Sequence, residues 1–257
     1  MQKHILAIHA HPDDVEFLAG GTLALLAGAG HQVTIVTMAP GDCGSMEHDA
    51  EETAAIRRKE AAGAASVIGA SYLCAEFRDL AIYNDDPSRR WVTEILRRVR
   101  PDAILTSSPV DYMVDHEVTS QLVRDACFCA PVPNFATKAP DPAPALPGIP
   151  HLYYMDPVAG VDRDDRPVVA DFWVNIASVI ETKKSMLVKH ESQRNWLLKH
   201  HGVDDYILQM ERWARLQGER AGVELAEGLR RYKGHPYPQS PLLEQLLSSF
   251  VVTRGAA

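Results

Sequence analysis

The stretch "AIHAHPDDVEFLAGG", residues 7–21, carries an apolar run into a histidine, a proline and two adjacent aspartates, then turns apolar again. Read outward, it decides the architecture. Residues 4–10, HILAIHA, have the near-continuous hydrophobicity of a strand buried on both faces, and residues 15–30, VEFLAGGTLALLAGAG, have the length and spacing of a helix. The polar HPDD cluster therefore sits where a strand hands over to a helix. The alternation continues through QVTIVTM (32–38), EETAAIRRKEAAGAASVIG (51–69), SYLCAEF (71–77), PSRRWVTEILRRVR (87–100), DAILTS (102–107) and HEVTSQLVRDACF (116–128). It predicts an α/β fold with a Rossmann-like, mostly parallel sheet and helices on both faces, in a single domain over 1–257. Ligands of such sheets bind beyond the carboxyl ends of the strands. HPDD, Pro40-Gly41-Asp42 and SSPVDYMVDH (107–116) all fall there.

Composition narrows the function classes. A chain of 257 residues, 46% hydrophobic, can bury a full core, and a formal charge of −8 argues against binding nucleic acid through bulk electrostatics. Cys43, Cys74, Cys127 and Cys129 are too few and too irregular for a disulfide scaffold, which points to a reducing cytoplasm. No signal-peptide pattern opens the chain and no long uninterrupted apolar run suggests a membrane span. Within the single domain, residues 1–130 form the half with the chemistry-bearing clusters. Residues 131–150, dense in proline and alanine, read as a long surface connection, a lid or an oligomer contact. Residues 151–257 hold two further strand patterns, HLYYMD (151–156) and PVVADFWVNI (167–176), and two helical ones, 177–193 and 203–222.

His11 and Asp14 are three apart at the predicted start of a helix, so their side chains share one face while Asp13 points elsewhere. Aspartates at a helix start also serve as plain caps, and that reading stands beside the chemical one. A second cluster, Asp111-Tyr112-Met113-Val114-Asp115-His116, follows another strand and opens another helix. Two neighbouring strand ends would bring His11, Asp14 and His116 together. Two imidazoles and a carboxylate suit zinc, with a coordination position left for water. A carboxylate that is not a ligand, Asp13, could then take the proton of that water during attack on a carbonyl.

His11-Pro12-Asp13-Asp14-Val15-Glu16, followed by Gly20-Gly21, then Arg57-Arg58-Lys59-Glu60 and Asp115-His116, resembles the LmbE-like, PIG-L-type family of zinc-dependent N-deacetylases. The resemblance covers the N-terminal half well and the rest more loosely. It implies that His11, Asp14 and His116 bind Zn²⁺ or another divalent first-row metal and that Asp13 is the general base. It also implies that Arg57 and Asp79 contact substrate hydroxyls, with Asp42 near the site. The implied substrate is an N-acetylated amino sugar or its conjugate, the implied product includes acetate, and the implied assembly is a homo-oligomer; charge and the lack of a long apolar run add the expectation of no nucleic-acid and no membrane partner.

One position departs from the pattern. Where the family carries His-Pro-Asp-His, this chain reads Met113-Val114-Asp115-His116, and methionine can neither donate a proton nor stabilise an oxyanion. Asp115, a catalytic residue by the resemblance, thereby loses the histidine it would orient and could simply cap the following helix. The expected substitute is His190, His200 or His201, from this chain or a symmetry mate, approaching Asp115 or the metal. Two other activities stay open: an amidase acting on a larger acyl or thiol-conjugate amide, and a catalytically weakened metal- or sugar-binding protein. Gly28-Ala29-Gly30 reads as a helix C-cap rather than a phosphate loop, Cys127 and Cys129 as helix packing, and Trp173, Trp196 and Trp213 as core or interface.

Overall fold

The computed structural model describes residues 1–194 and 205–253. One eight-stranded sheet runs through it in the order β3-β2-β1-β4-β5-β7-β6-β8. β1 (His4–His9), β2 (Gln32–Thr37), β3 (Ser71–Cys74), β4 (Ala103–Thr106) and β5 (His151–Met155) are mutually parallel. β6 (Phe172–Asn175), β7 (Ala226–Arg231) and β8 (Val251–Thr253) extend the sheet in antiparallel pairings beyond β5. The mostly parallel, Rossmann-like sheet read from the sequence is present. Unforeseen is β7, which enters from the far C-terminal region to separate β5 from β6.

Helices cover both faces: α1 (Asp14–Gly28), α2 (Ala50–Ser66), α3 (Asp86–Val99), α4 (Val114–Cys129), α5 (Ile180–Leu187), α6 (Asp205–Ala221) and the short α7 (Leu242–Leu246). The alternation within β1 divides the core. Ile5 and Ala7 join Leu18, Leu23 and Leu26 of α1 and Trp213 of α6 on one face, while Leu6 and Ile8 join Val92 and Leu96 of α3 and Leu122 of α4 on the other. Because both faces of β1 are buried, its sequence lacks polar alternation. α1 ends as read at Gly28-Ala29-Gly30, with Gly30 at φ 85° and its N–H bonded to the Ala27 carbonyl. Cys127 and Trp173 are core residues, and the Trp173 indole donates to Gln217. Trp196 lies outside the described residues.

The proline-rich stretch 131–150 contains no helix or strand. α4 starts at the carboxyl end of β4 and runs back along the sheet, so this stretch leaves α4 and joins β5 at the amino ends of the strands, while its middle reaches the first turn of α3, where Lys138 Nζ lies 3.9 Å from Asp86. It wraps α3: Thr137 and the Ala143 N–H donate to buried Glu94, and Arg97 donates to the Ala130 and Val132 carbonyls. Among the described residues no helix is long and apolar enough to cross a membrane.

Candidate metal centre and active site

In the order β3-β2-β1-β4-β5, the connections leave β1 toward β2 on one side and β4 lies on the other. The crevice between β1 and β4 is thus the switch point where open α/β sheets bind ligands. α1 and α4 begin on its two sides. Neither helix has a side-chain cap at its start, whereas Asp49 caps α2 by accepting the Glu52 N–H (2.9 Å) and Asp85 caps α3 by accepting the Ser88 N–H (2.8 Å). The plain capping reading of Asp13 therefore does not hold. Asp13 sits at the N-cap position with φ 93°, in the left-handed region that costs a non-glycine residue roughly 1 kcal/mol or more. Its carboxylate is turned to the crevice instead of to the helix.

A cavity of about 320 Å³ opens here, with His11, Asp13, Asp14, His116, Tyr112 and Met113 among its lining. The Asp14 carboxylate oxygen Oδ2 stands 3.5 Å from His11 Nδ1 and 3.5 Å from His116 Nε2. Two ligand atoms on a tetrahedral zinc, each about 2.1 Å from it, would lie about 3.4 Å apart. Both imidazoles are backed by carboxylates on their other nitrogen. His116 Nδ1 meets Asp111 Oδ1 at 3.0 Å, and His11 Nε2 meets Asp79 Oδ1 at 3.0 Å and Asp115 Oδ2 at 3.3 Å. His116 Nε2 is buried without a hydrogen-bond partner among the described residues. A buried imidazole held by a carboxylate on one nitrogen and unsatisfied on the other is the arrangement of a metal ligand. The donor set of this chain fits a divalent ion.

Among the described residues, two trios have all their donor atoms within 4.8 Å of one another, His9, Asp14 and His116, and His11, Asp79 and Asp115, and they overlap His11, Asp14 and His116. His9 is fully buried, with Nδ1 2.7 Å from Asp14 Oδ2, so it stands behind Asp14 rather than in the cavity. Charge coupling is strong throughout. Burial works against ionised Asp14, but His9, His116 and His11 outweigh it and hold its pKa well below the ordinary carboxylate value. Burial likewise opposes a proton on His11, yet Asp115, Asp14 and Asp79 raise its pKa well above the ordinary value. Burial raises the pKa of Asp13, with Arg57 opposing and Asp14 adding to the rise.

The remaining sequence-read residues fall into distinct places. Arg57 is buried and donates to the Gly41 carbonyl (3.1 Å) and the Pro12 carbonyl (2.9 Å), with its guanidinium 3.6 Å from Asp13 Oδ2. It clamps two walls of the cavity together. Asp79 lines the cavity, and Asp42 stands behind it, accepting the Asp79 N–H at 3.0 Å. Asp115 does not cap α4; its Oδ2 accepts the Leu80 N–H (2.7 Å) besides facing His11. His190 is fully buried with Nε2 3.4 Å from Glu16 Oε1, so its partner is Glu16 and not Asp115. His200 and His201 lie outside the described residues.

Sequence reading missed four participants. His9 and Asp111 stood inside the quoted clusters, and the strand's two-residue alternation between His9 and His11 was their available signal. Tyr206, whose hydroxyl donates to Asp13 Oδ2 at 2.6 Å, and Gln193, which lines the cavity and donates to the Gly44 carbonyl, arrive from the C-terminal third. No local pattern announces them.

Fold and site together define an α/β protein with a buried histidine–aspartate cluster, able to hold a metal ion, at the switch point of its sheet. Residues 6–127 match the model of the PIG-L family, described as GlcNAc-PI de-N-acetylase. The chain is 29% identical to 4-oxalmesaconate hydratase of Pseudomonas putida over 190 residues, covering 71% of this chain and 70% of the relative. It is 25% identical to diacetylchitobiose deacetylase of Thermococcus kodakarensis over 248 residues, covering 90% and 84%. The solved structure of N,N'-diacetylchitobiose deacetylase from Pyrococcus horikoshii superposes with a TM-score of 0.75 at 26% identity, covering 93% of this chain and 88% of that one.

Proposed function

We propose that this chain is a metal-dependent hydrolase that removes the acetyl group from an N-acetylated amino sugar or its conjugate. The observation that carries the reading is Asp14 Oδ2 standing 3.5 Å from both His11 Nδ1 and His116 Nε2 in a cavity that Asp13 also lines. His11, Asp14 and His116 would hold the ion, with Zn²⁺ the first choice for an N/O donor set of this kind. His9 is assigned to hold Asp14, because it does not line the cavity. Bound there, a divalent ion would polarise the amide carbonyl and make water acidic enough to ionise near neutral pH.

The residues of the chain do the rest. Asp13, not used as a ligand, takes the proton from the attacking water and returns it to the departing amine. Asp115, with Asp79, fixes His11 so that Nδ1 is the nitrogen presented, and Asp111 does the same for His116. Asp115 thus keeps a task although Met113 stands where the family has histidine. Arg57 holds the Pro12 and Gly41 walls and keeps a positive charge near Asp13, and Asp79 has its second oxygen engaged by the Cys43 N–H. A cavity of this volume has room for a sugar ring and its acetamido group, and it opens to solvent.

The hydratase relative supports a second reading, water addition to the activated double bond of an unsaturated oxo acid. Both reactions add water, so an ion and a proton acceptor placed here would serve either, and the lack of histidine at 113 removes a group expected for amide cleavage. The deciding experiment incubates zinc-loaded and chelator-treated protein with N,N'-diacetylchitobiose, measuring acetate, and with 4-oxalmesaconate, measuring loss of ultraviolet absorbance. Acetate release that is zinc-dependent and reduced to a small residual rate in Asp13→Asn supports the first reading. Absorbance loss without acetate replaces it with the second, and neither signal across a wider panel of acetylated amino sugars leaves a binding protein.

A further inference from the structure

We infer that Tyr206 is a positioning residue for Asp13, carried into the site by α6. Its hydroxyl donates to Asp13 Oδ2 at 2.6 Å, across 193 positions of sequence. That is the short distance expected of a hydroxyl bonded to an ionised oxygen. The ring is held independently of this bond. It packs against Phe17 with centroids 6.2 Å apart and planes tilted by 40°, and Phe17 belongs to the turn of α1 whose N–H bonds back to the Asp13 carbonyl. One turn of α1 therefore presents both the carboxylate that Tyr206 bonds and the ring that it packs on.

The helix bearing Tyr206 is anchored farther along. Trp213 lies in the core, and Gln217 accepts the Trp173 indole N–H (2.8 Å) while donating to buried Asp156 (3.1 Å). Tyr206 thus reaches Asp13 from a fixed platform, not from a free side chain. Burial, with the Asp13 charge, raises the phenol pKa well above its ordinary value, so it stays a proton-bearing donor.

The arrangement answers a need created by the backbone. Asp13 occupies a left-handed conformation at a helix start and makes no cap hydrogen bond that would fix its side chain. With Oδ2 engaged by Tyr206 and 3.6 Å from the Arg57 guanidinium, Oδ1 is the oxygen left to meet a proton in the cavity. A base held in one rotamer loses less freedom on reaching the transition state than one that must be caught there.

The inference rests on Asp13 as proton acceptor but not on which of the two reactions the chain catalyses. The test is Tyr206→Phe, which deletes one oxygen and keeps the ring against Phe17. On whichever substrate the unmodified protein turns over, kcat is expected to fall about tenfold, as for a lost hydrogen bond to a charged group, with KM within about twofold. Combined with Asp13→Asn, the second substitution should cost nothing further, because the group it positions is already disabled. An unchanged kcat, a loss confined to KM, or an equal loss in the Asp13→Asn background would overturn the proposal. A crystal structure of Tyr206→Phe supplies a reading independent of activity. An Asp13 carboxylate that has left its rotamer supports the role, and one unmoved against the same neighbours refutes it. Absence of any turnover by the unmodified chain would sink the proposed function alone.

Discussion

At the scale of single residues, the site depends on what stands behind each imidazole. His116 has one nitrogen against Asp111 and the other buried and unsatisfied, so Asp111 decides which nitrogen carries the proton. Burial opposes charge on His116, but Asp14 and Asp111 raise its pKa above the ordinary imidazole value, a sign of how much negative charge surrounds a potential cation. Replacing Asp111 by Asn keeps the shape and removes the charge. Zinc affinity, measured by competition with a chromophoric chelator, is expected to fall about 10- to 100-fold, the usual cost of losing such a partner. An unchanged affinity would mean that His116 is not a ligand. These contacts were half legible. The pairing of His11 with Asp14 follows from three-residue spacing, but Asp115 and Asp79 meeting on His11 Nε2 required the β3–α3 loop to fold over the strand ends. The same limit hid the role of Arg57, around which Gly41 and Gly44 are wrapped so closely that a Cβ at either would fall 2.2 or 2.5 Å from its guanidinium.

At the scale of elements, helix starts separate structure from chemistry. α2 and α3 have the Asp caps that stabilise a helix by about 1 kcal/mol, while α1 and α4 forgo them and place functional side chains in the first turn. β7 shows why part of the sheet was not legible: AEGLRR lacks the β-branched and aromatic residues of a typical strand, and Glu227 and Arg230 within it serve polar networks. One of these joins three elements. Asp156, just after β5, accepts from Gln217 of α6 and lies 3.6 Å from Arg230 of β7. Burial raises its pKa from 3.8 to about 6, with Arg230 and Arg220 opposing the shift. The folded chain therefore holds this proton more tightly than the unfolded chain. The resulting stabilisation is fully present below about pH 4 and is lost as pH rises through 6, leaving a buried charge that costs up to about 3 kcal/mol. Asp156→Asn should raise the melting temperature relative to the unmodified chain at about pH 8, and the gain should vanish near pH 4. Scanning calorimetry at both values checks it, and a gain of equal size at both would show that charge is not its cause.

At the scale of the whole molecule, all three candidate metal ligands lie in residues 1–130, yet what holds them does not. Glu227 on β7 accepts the backbone N–H groups of Gly21 and Thr22 in the middle of α1 and the Thr22 hydroxyl, and Lys183 closes the buried ion pair at 2.6 Å. That clamp sets the axis of the helix whose first turn carries Asp14. The core on the α1 face is likewise shared: Leu18, Leu23 and Leu26 pack in one cluster with Tyr153, Phe172, Trp213 and Leu229. A sequence-derived division into a metal-bearing half and a C-terminal half therefore marks where motifs lie, not where folding units end. A fragment of residues 1–130 would expose the β4 edge and half of that core and would lose the Glu227 clamp on α1, and burial lost on this scale exceeds the margin of a typical domain. The fragment is expected to lack cooperative unfolding by circular dichroism and to bind zinc at least about 100-fold more weakly than the full chain, because its ligands must then be ordered at the moment of binding. Full-strength binding by a cooperatively folded fragment would place the support of the site entirely within the N-terminal strands and reduce β7 and α6 to a cover.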